Sequence, residues 1–219
     1  MLHKETVDAS TLELLKRLMA DKRLKDFVLV GGTALSLQMG HRISVDLDLF
    51  VNQDFEAEEL REYMERNYRL ETDYLAFATV KGEINGVQVD CIAHSYPWIR
   101  PSVMEEGIRL ASLEDICAMK LNAIAGNGTR IKDFIDVAYL SSLYSLNQML
   151  SFYEEKYQAN PLMPLKGIVF FDDINKEAPV KMTEGKTLDW KKMEKRLLAM
   201  EKYPNKVFDS LTSQPKNTK

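Results

Sequence analysis

Two aspartates stand inside an apolar run of the segment "VGGTALSLQMGHRISVDLDLF". In a strand, residues two apart point to the same face, so the alternation predicts a strand over residues 44–51 that places Asp46 and Asp48 on one face. The opposite face, packed into the core, is predicted to carry Val45, Leu47 and Leu49. Two carboxylates about 7 Å apart on one face repel each other unless a partner neutralises them.

A divalent cation is the simplest partner for this pair. Hard oxygen ligands favour Mg²⁺ or Mn²⁺ over Zn²⁺ when no histidine side chain joins them. The structural alternative is that Asp46 and Asp48 lie at the end of a strand and pair with Arg42 or a lysine. For an Asp-x-Asp pattern taken alone, this alternative is the more common one.

The segment just upstream favours a functional role for the two aspartates over a purely structural one. A short apolar strand, "DFVLV", runs into Gly31 and Gly32, and a helix is predicted to begin at Thr33 and to end at Gly40. Glycines let a backbone approach a phosphate, and the start of a helix supplies N–H donors and a favourable dipole. A phosphate-binding turn and a carboxylate pair separated by one short helix are typical of a nucleotide–metal site.

A third carboxylate, Asp90, lies in the apolar strand pattern "GVQVDCI". If that strand neighbours the strand of Asp46, three carboxylates converge and can hold metal, the third acid activating an incoming hydroxyl. The alternative is a hydrogen-bonded aspartate at a strand end. Cys91 and His94 follow closely, but one cysteine and one histidine are too few for a soft-metal site.

A lysine stands in the middle of an apolar helical stripe. In "SLEDICAMKLNAIAG", Lys120 shares the stripe with leucine and isoleucine, and it either extends to the surface or reaches a triphosphate. On the next helix, Asp133 and Asp136 lie together away from the main apolar face. Either of them can pair with Lys120 or Arg130, and the alternative is a solvated face.

The elements that position these residues indicate an α+β chain. A mixed α/β lobe with a nucleotidyltransferase-type sheet is predicted over residues 1–100, a helical lobe over 101–210 and a disordered tail over 211–219. A β-hairpin is predicted over residues 74–94 with Asn85-Gly86 in its turn. The predicted helices cover residues 11–20, 33–39, 56–68, 113–125, 130–144, 146–157 and 188–201, and a Ser10–Glu13 capping box starts the first.

Composition sets outer bounds on function. The 219 residues carry a formal net charge of -4, which excludes a strongly basic nucleic-acid wrapper. Two cysteines in apparent core segments are expected to be reduced, and no apolar stretch predicts a signal peptide or a membrane span, so a cytoplasmic location without membrane contact is expected. Between Lys181 and Lys206 eight basic residues stand against four acids, which suits either an RNA backbone or a solvated helix face.

Two blocks carry a family resemblance: "GGTALSLQMGHRISVDLDLF" and, after it, "LEDICAMKLNAIAGNGTRIKDFIDVAYL". In this order they resemble the AbiEii/AbiGii nucleotidyltransferase toxins of type IV toxin–antitoxin systems, a branch of the polymerase-β-like nucleotidyltransferases. The later "FFDDINKEAPVKM" and "LDWKKMEKRL" are also similar to segments of that family. The resemblance extends from about Phe27 to Leu197.

The resemblance implies a role for each matching position. It implies Gly31, Gly32 and Thr33 as the phosphate-binding turn, and Asp46 and Asp48 as metal ligands. Further matches are the helical Lys120, the aspartate motif at Asp133 or Asp136, and Asp90 at the third-carboxylate position. The family implies transfer of a nucleotide to an acceptor, in some members a tRNA end, and neutralisation by a cognate antitoxin.

The sequence therefore predicts a Mg²⁺- or Mn²⁺-dependent enzyme that transfers a nucleotide from an NTP to RNA or protein. Asp46 and Asp48 would hold the metal with Asp90, which would also act as the base, while Lys120 would balance triphosphate charge. Arg42 and Ser44 would shape the rim of the pocket. Two alternatives remain: a kinase acting at the γ-phosphate, and a non-catalytic module that binds a nucleotide or a partner.

Overall fold

A computed structural model describes residues 1–211 of the chain and contains, within that range, seven strands and eight α-helices. The strands are β1 (Val28–Leu29), β2 (Leu47–Val51), β3 (Glu71–Ala76), β4 (Thr79–Ile84), β5 (Val87–Ala93), β6 (Val103–Glu105) and β7 (Ile108–Leu110). The helices are α1 (Ala9–Ala20), α2 (Gly31–Met39), α3 (Ala57–Tyr68), α4 (Leu113–Gly126), α5 (Ile131–Leu140), α6 (Leu146–Tyr157), α7 (Leu162–Gly167) and α8 (Trp190–Lys202).

All seven strands form one mixed sheet in the order β3-β4-β5-β2-β1-β7-β6. The pairs β2–β5 and β1–β7 are parallel, and the other neighbours are antiparallel. The expected mixed sheet, with helices beside it and a helical C-terminal part, is confirmed. β6 and β7 lie after residue 100, in the range where the sequence predicts only helices, and they pair at the edge of the sheet next to β1.

The chain divides into two units, Met1–Ile116 and Cys117–Lys219, the second described as far as Leu211. The predicted tail, residues 211–219, lies outside the described residues except for Leu211. Among residues 1–211 no helix is both long and apolar enough to cross a bilayer.

The predicted hairpin over residues 74–94 is part of a three-stranded meander. Asn85 and Gly86 form its second turn with φ angles of 51° and 82°, as expected for the turn type that suits twisted strands. The strand that sequence analysis did not separate is β3, which pairs with β4 across a bulge between Thr72 and Tyr74.

The strand that carries the aspartates is shorter than its alternating pattern predicts. Leu47 and Leu49 are buried as expected, but Val45 is 48% exposed and its predicted core position is wrong. The strand begins only at Leu47 because the preceding backbone bonds elsewhere: the Ser44 N–H donates to the Thr6 carbonyl at 2.9 Å. A segment whose backbone groups bond outside the sheet cannot extend the ladder.

Helix starts also differ from their predicted positions. Asp8, not Ser10, caps α1, because its carboxylate accepts a hydrogen bond from the Thr11 N–H at 2.9 Å. The second helix begins at Gly31 rather than Thr33, so the two glycines form its first turn. Its end at Gly40, with φ of 63°, is as predicted.

The second unit is helical, as predicted, with differences in bounds. α6 occupies the predicted range, whereas α5 ends at Leu140 rather than at residue 144, and the short helix α7 is not predicted. The second unit also contains a cluster of three aromatic rings, of which Phe134 is fully buried and the other two are half-buried. Phe134, Phe171 and Trp190 pack edge to face with ring centroids 5.8–6.4 Å apart.

The guanidinium of Arg109 joins three elements of the first unit. It donates to the backbone carbonyls of Met19 at 2.7 Å, Leu24 at 2.9 Å and Phe27 at 2.9 Å. These carbonyls end α1, the short turn after it and the loop into β1. Burial lowers the pKa of this guanidinium, and the Asp26 charge opposes that shift. Arg109 therefore fixes the position of β1 and of the helix that follows.

Replacing Arg109 by methionine is expected to lower the free energy of unfolding by about 1.5–3 kcal/mol, because the carbonyls lose a charged donor. Urea denaturation followed by circular dichroism measures the change. The control is Arg23→Met, which removes a half-exposed ion pair with Glu59 and is expected to cost less than about 1 kcal/mol. Equal effects of the two substitutions would contradict the role given to Arg109.

Candidate functional site

The start of α2 lies against the carboxylate of Asp48. Gly31 has a φ of 69°, and a Cβ added to it would overlap the Asp48 carboxylate, with Oδ2 as its nearest atom. The Val30 N–H also donates to the Asp48 carbonyl at 2.9 Å. Only glycine accommodates both the backbone angle and the approach. The predicted glycine turn and one predicted aspartate therefore lie together.

The second glycine faces two further predicted residues. A Cβ on Gly32 would overlap the guanidinium of Arg42 and lie 3.1 Å from the hydroxyl of Ser44. Arg42 is 2% exposed and Ser44 is 9% exposed, so both lie beneath the first turn of α2 rather than on an open rim. They support the turn from inside the protein.

Thr33 connects α2 to the Asp46 segment. Its hydroxyl donates to the Asp46 carbonyl at 2.5 Å and lies 3.0 Å from the Ser44 hydroxyl. Since a carbonyl can only accept, the single Thr33 proton goes to Asp46, and Ser44 is the donor in the second bond. Thr33 is 1% exposed, so its side chain holds the turn together. Asp46 itself lies before β2 and is exposed.

The first turn of α2 has backbone donors that the helix does not use. The first intrahelical bond runs from the Ala34 N–H to the Val30 carbonyl at 3.4 Å. The N–H groups of Gly31, Gly32 and Thr33 precede it, and within residues 1–211 no side-chain cap is found at Val30. Such a helix start favours negative charge, and the nearby carboxylate of Asp48 satisfies that preference.

Asp48 and Asp90 lie side by side. They are register partners on the parallel neighbours β2 and β5, so their side chains leave the same face of the sheet, with Cα atoms about 4.8 Å apart. On this face Asp48, Phe50, Asp90 and Ile92 are only partly buried, while residues 47, 49, 89 and 91 on the other face are buried. The adjacency on which the third-carboxylate prediction depended is therefore present.

Lys81 is the residue that sequence reasoning missed. It is the register partner of Asp90 on β4, and its ammonium lies 2.5 Å from Asp90 Oδ2. The Gln88 amide donates to the other oxygen, Oδ1, at 3.3 Å. The sequence does contain the signal, because counting outwards from the Asn85-Gly86 turn pairs Lys81 with Asp90.

Cys91 takes no part in this site. Burial raises the pKa of its thiol to about 12, and the negative charge of Asp90 adds to the effect. A thiol of such high pKa stays protonated at neutral pH, and Cys91 lies on the buried face of the sheet, opposite to Asp48 and Asp90. Neither Cys91 nor Cys117 forms a disulfide, and both are buried, as expected.

The donors on this face suit a hard cation rather than zinc. Within residues 1–211 no group of three or more His, Cys, Asp and Glu side chains is arranged to hold a metal ion. Asp48 and Asp90 offer two adjacent carboxylates, and Mg²⁺ is commonly bound through one or two carboxylates with the remaining positions taken by water and substrate phosphates. The face therefore fits such an ion when a phosphate substrate supplies the other oxygens.

The other three predicted residues lie together in the second unit. The ammonium of Lys120 lies 2.7 Å from Asp133 Oδ1 and 2.8 Å from Asp136 Oδ2, and Arg130 Nε lies 3.5 Å from Asp133 Oδ2. Lys120 is 5% exposed, and the two aspartates are at most 1% exposed. The idea that Lys120 extends to the surface is wrong, as is the solvated face for Asp133 and Asp136.

The basic stretch between Lys181 and Lys206 is partly used inside its own unit. Arg196 donates to the Ser141 hydroxyl and to the Asp209 carbonyl, both at 2.9 Å, and Lys192 donates to the Leu211 carbonyl at 3.0 Å. The basic residues whose side chains are exposed are Lys181, Lys191, Lys192, Lys195, Lys202 and Lys206.

The chain has a nucleotidyltransferase fold. Two carboxylates lie on adjacent strands of its sheet, beside a helix that begins with two glycines. The crystal structure of a candidate nucleotidyltransferase from H. pylori matches with a TM-score of 0.54 and 19% identity, covering 90% of this chain and 96% of that one. JHP933 from Helicobacter pylori matches with a TM-score of 0.50 and 19% identity, over 91% and 93%.

The sequence comparison is more specific. The family model for the nucleotidyl transferase AbiEii toxin of type IV toxin–antitoxin systems matches residues 13–99 and 94–211. The chain therefore belongs to the AbiEii family. The uncharacterized protein aq_aa25 of Aquifex aeolicus (strain VF5) is 28% identical over 172 residues, which cover 75% of this chain and 83% of that protein.

Substitution of Gly31 by alanine is expected to displace Asp48. The positive φ alone costs about 1–2 kcal/mol, and the overlap with the carboxylate adds about 1–3 kcal/mol. The matched control is Gly86→Ala, because Gly86 also has a positive φ but has open space where a Cβ would be added. Urea denaturation of both variants separates the two contributions. An equal decrease in the free energy of unfolding would show that overlap with the Asp48 carboxylate does not destabilise the Gly31→Ala variant.

Removal of the Lys120 ammonium is expected to leave two buried carboxylates without their shared cation. Lys120→Met should lower the free energy of unfolding by about 3–5 kcal/mol. Combining it with Asp133→Asn and Asp136→Asn should recover much of that loss, because the uncompensated charges are then gone. A triple variant as unstable as Lys120→Met would contradict the buried ion cluster.

Proposed function

We propose that this chain transfers a nucleotide from an NTP to an acceptor hydroxyl, with a divalent metal ion, Mg²⁺ or Mn²⁺, and that it is the toxin of a type IV toxin–antitoxin pair. The observation that most supports this reaction is the close approach of the Asp48 carboxylate to Gly31 at the start of α2. Asp90 lies beside Asp48 as its register partner. Family membership supports the same reaction class and the toxin assignment.

The start of α2 is the proposed phosphate site. The backbone N–H groups of Gly31, Gly32 and Thr33 point out of the helix end and are not used within it, as the bond from Ala34 to Val30 shows. They favour the β- and γ-phosphates of an NTP. Arg42 lies beneath Gly32 and adds a positive charge, while Ser44 and Thr33 hold the turn in shape.

Asp46, Asp48 and Asp90 are the proposed metal ligands: Asp48 and Asp90 lie side by side, and the exposed Asp46, which is not grouped with them among residues 1–211, would complete the set when the ion binds. A bound metal ion would neutralise phosphate charge and orient the α-phosphate. Asp48 is held by β2, and the Asp46 backbone is held by the Thr33 hydroxyl. We propose that β2 and the loop before it present the two carboxylates to one substrate.

Asp90 is the proposed base. An oxygen of the acceptor hydroxyl forms a bond to the α-phosphorus, the bond from that phosphorus to the bridging oxygen breaks, and pyrophosphate leaves. The hydroxyl proton passes to the Asp90 carboxylate. Lys81 neutralises part of the charge on Asp90 and lets it lie beside Asp48, so Lys81 acts as a positioning residue.

The roles of Lys120, Asp133 and Asp136 in catalysis stay predictions. Their ion pairs join α4 to α5, which is a structural task. A direct contact between Lys120 and a triphosphate would have to compete with two buried carboxylates for the same ammonium. RNA, a tRNA end in particular, is the acceptor we favour, and a cognate antitoxin is the proposed protein partner.

The test is incubation with each α-³²P-labelled NTP, Mg²⁺ and total RNA, followed by denaturing RNA and protein gels. Wild type is expected to label an acceptor, and Asp48→Asn is expected to reduce labelling by about 10²-fold or more, because a charged ligand is lost at the reacting phosphate. The matched control is Asp54→Asn, an exposed aspartate in the loop that follows β2, which should keep full activity.

Three results would contradict the proposal. Full activity of Asp48→Asn would remove its assignment as a ligand. Transfer of label from γ-labelled but not from α-labelled nucleotide would identify a kinase. Labelling with neither nucleotide, together with no calorimetric heat for NTP and Mg²⁺, would identify a non-catalytic module.

A further inference from the structure

Three aromatic rings continue the carboxylate face towards the ends of β2 and β5. The ring centroids of Phe50 and His94 are 5.3 Å apart, and those of His94 and Tyr96 are 4.9 Å apart. Phe50 lies two residues after Asp48 on the same face of β2, and its register partner on β5 is Ile92, two residues before His94. We call these three side chains the aromatic row. Its outer member, Tyr96, is 43% exposed.

The backbone that carries this row is fixed at both ends. The His94 N–H donates to the Val51 carbonyl at 2.7 Å, which continues the sheet one residue past β5. Further along, the buried carboxylate of Asp115 accepts hydrogen bonds from the N–H groups of Ile99 at 3.0 Å and Arg100 at 3.2 Å. A ring on a fixed backbone loses little conformational freedom when a flat ligand packs against it.

The role of the aromatic row follows from its position relative to the glycine turn and the two carboxylates. β1 is antiparallel to β2, so the glycine turn that follows β1 lies next to the beginning of β2, while Phe50 lies near the end of β2. Asp48 and Asp90 lie between them. Along the strands, Phe50 lies about 7 Å beyond Asp48 and His94 about 13 Å beyond Asp90, on the side away from the helix start.

An in-line displacement needs this order. The attacking and leaving oxygens lie on opposite sides of the reacting phosphorus. If the leaving pyrophosphate is held at the start of α2, the attacking hydroxyl comes from the opposite side, which is the side of the aromatic row. A flat ring next to an attacking hydroxyl suits a nucleotide acceptor, since every nucleobase has a face that stacks on an aromatic side chain.

We propose that Phe50, His94 and Tyr96 form a stacking platform for a nucleobase at the 3′ end of a single-stranded RNA acceptor. This inference rests on the proposed function for the identity of the reaction, but RNA binding can be measured without any transfer. Tyr96 contacts the base, His94 packs against the Tyr96 ring, and Phe50 packs against the His94 ring.

The probe is a fluorescein-labelled single-stranded RNA of randomised sequence, about eight nucleotides long, with a free 3′ hydroxyl. Its dissociation constant is measured by fluorescence anisotropy, with Mg²⁺ and without NTP. Tyr96→Leu is expected to weaken binding about 5- to 150-fold, which is the range for loss of one stacked base. Tyr96→Phe keeps the ring and should stay within about twofold of wild type.

The matched control is Phe77→Leu, the same loss of an exposed ring in the turn between β3 and β4, outside the aromatic row. It should leave RNA affinity unchanged. In parallel, NTP affinity is measured by calorimetry. Tyr96→Leu is expected to leave it unchanged, because the platform contacts the acceptor RNA and not the NTP. A thermal unfolding curve for each variant confirms that the protein is folded.

Each other outcome overturns the inference. It fails if Tyr96→Leu binds RNA like wild type, if Tyr96→Phe is as weak as Tyr96→Leu, or if only NTP affinity falls. It also fails if wild type does not bind the RNA; label that then transfers to a protein would leave the proposed transfer reaction standing. Conversely, RNA binding that depends on Tyr96, with no transfer from any NTP, would support the platform and count against the reaction.

Discussion

The site depends on how closely the Asp48 carboxylate approaches Gly31. The end of β1, the start of α2 and the middle of β2 meet at this contact, because the Val30 N–H also bonds to the Asp48 carbonyl. A helix start carries partial positive charge, so a carboxylate is favourable there. This contact requires a positive φ at residue 31 and leaves no room there for a Cβ, so only glycine fits the position. Moving any of these three elements would change the distance between the backbone donors and the acid that faces them.

The two units handle their charges in different ways. In the first unit, Asp48 and Asp90 lie on a half-buried face, and Lys81 forms an ion pair with Asp90. In the second unit, the ammonium of Lys120 is shared by two carboxylates in the interior. Half-exposed charges can bind a substrate at small cost, whereas charges buried as a cluster are costly to separate. This difference supports the proposal that substrate chemistry takes place on the sheet face and that the buried cluster has a structural task.

Sequence periodicity predicts what local spacing determines and misses what the tertiary structure decides. The Asn85-Gly86 turn, the end of α2 at Gly40 and the range of α6 follow from local rules of turn, cap and helix formation. The strand over residues 44–51 starts three residues late because Thr6 and Thr33, distant in sequence, bond to its backbone. The tertiary structure also decides the contacts of Lys120. The helical stripe predicts that its aliphatic stem is buried, but it does not predict that its ammonium pairs with two aspartates of the next helix.

The order of groups along β2 and β5 is a stronger argument for transfer than any single residue. A glycine turn alone indicates an anion, and two aspartates alone indicate a cation or a structural pair. Here the backbone donors, the carboxylates and then the aromatic rings follow one another across one face of a single sheet, and the register of β2 with β5 fixes their spacing. A kinase that acts at the γ-phosphate would place its acceptor at the helix start, next to the terminal phosphate. An acceptor at the aromatic rings instead lies on the side of the α-phosphate, opposite the leaving pyrophosphate, so the position of the acceptor distinguishes the two reactions.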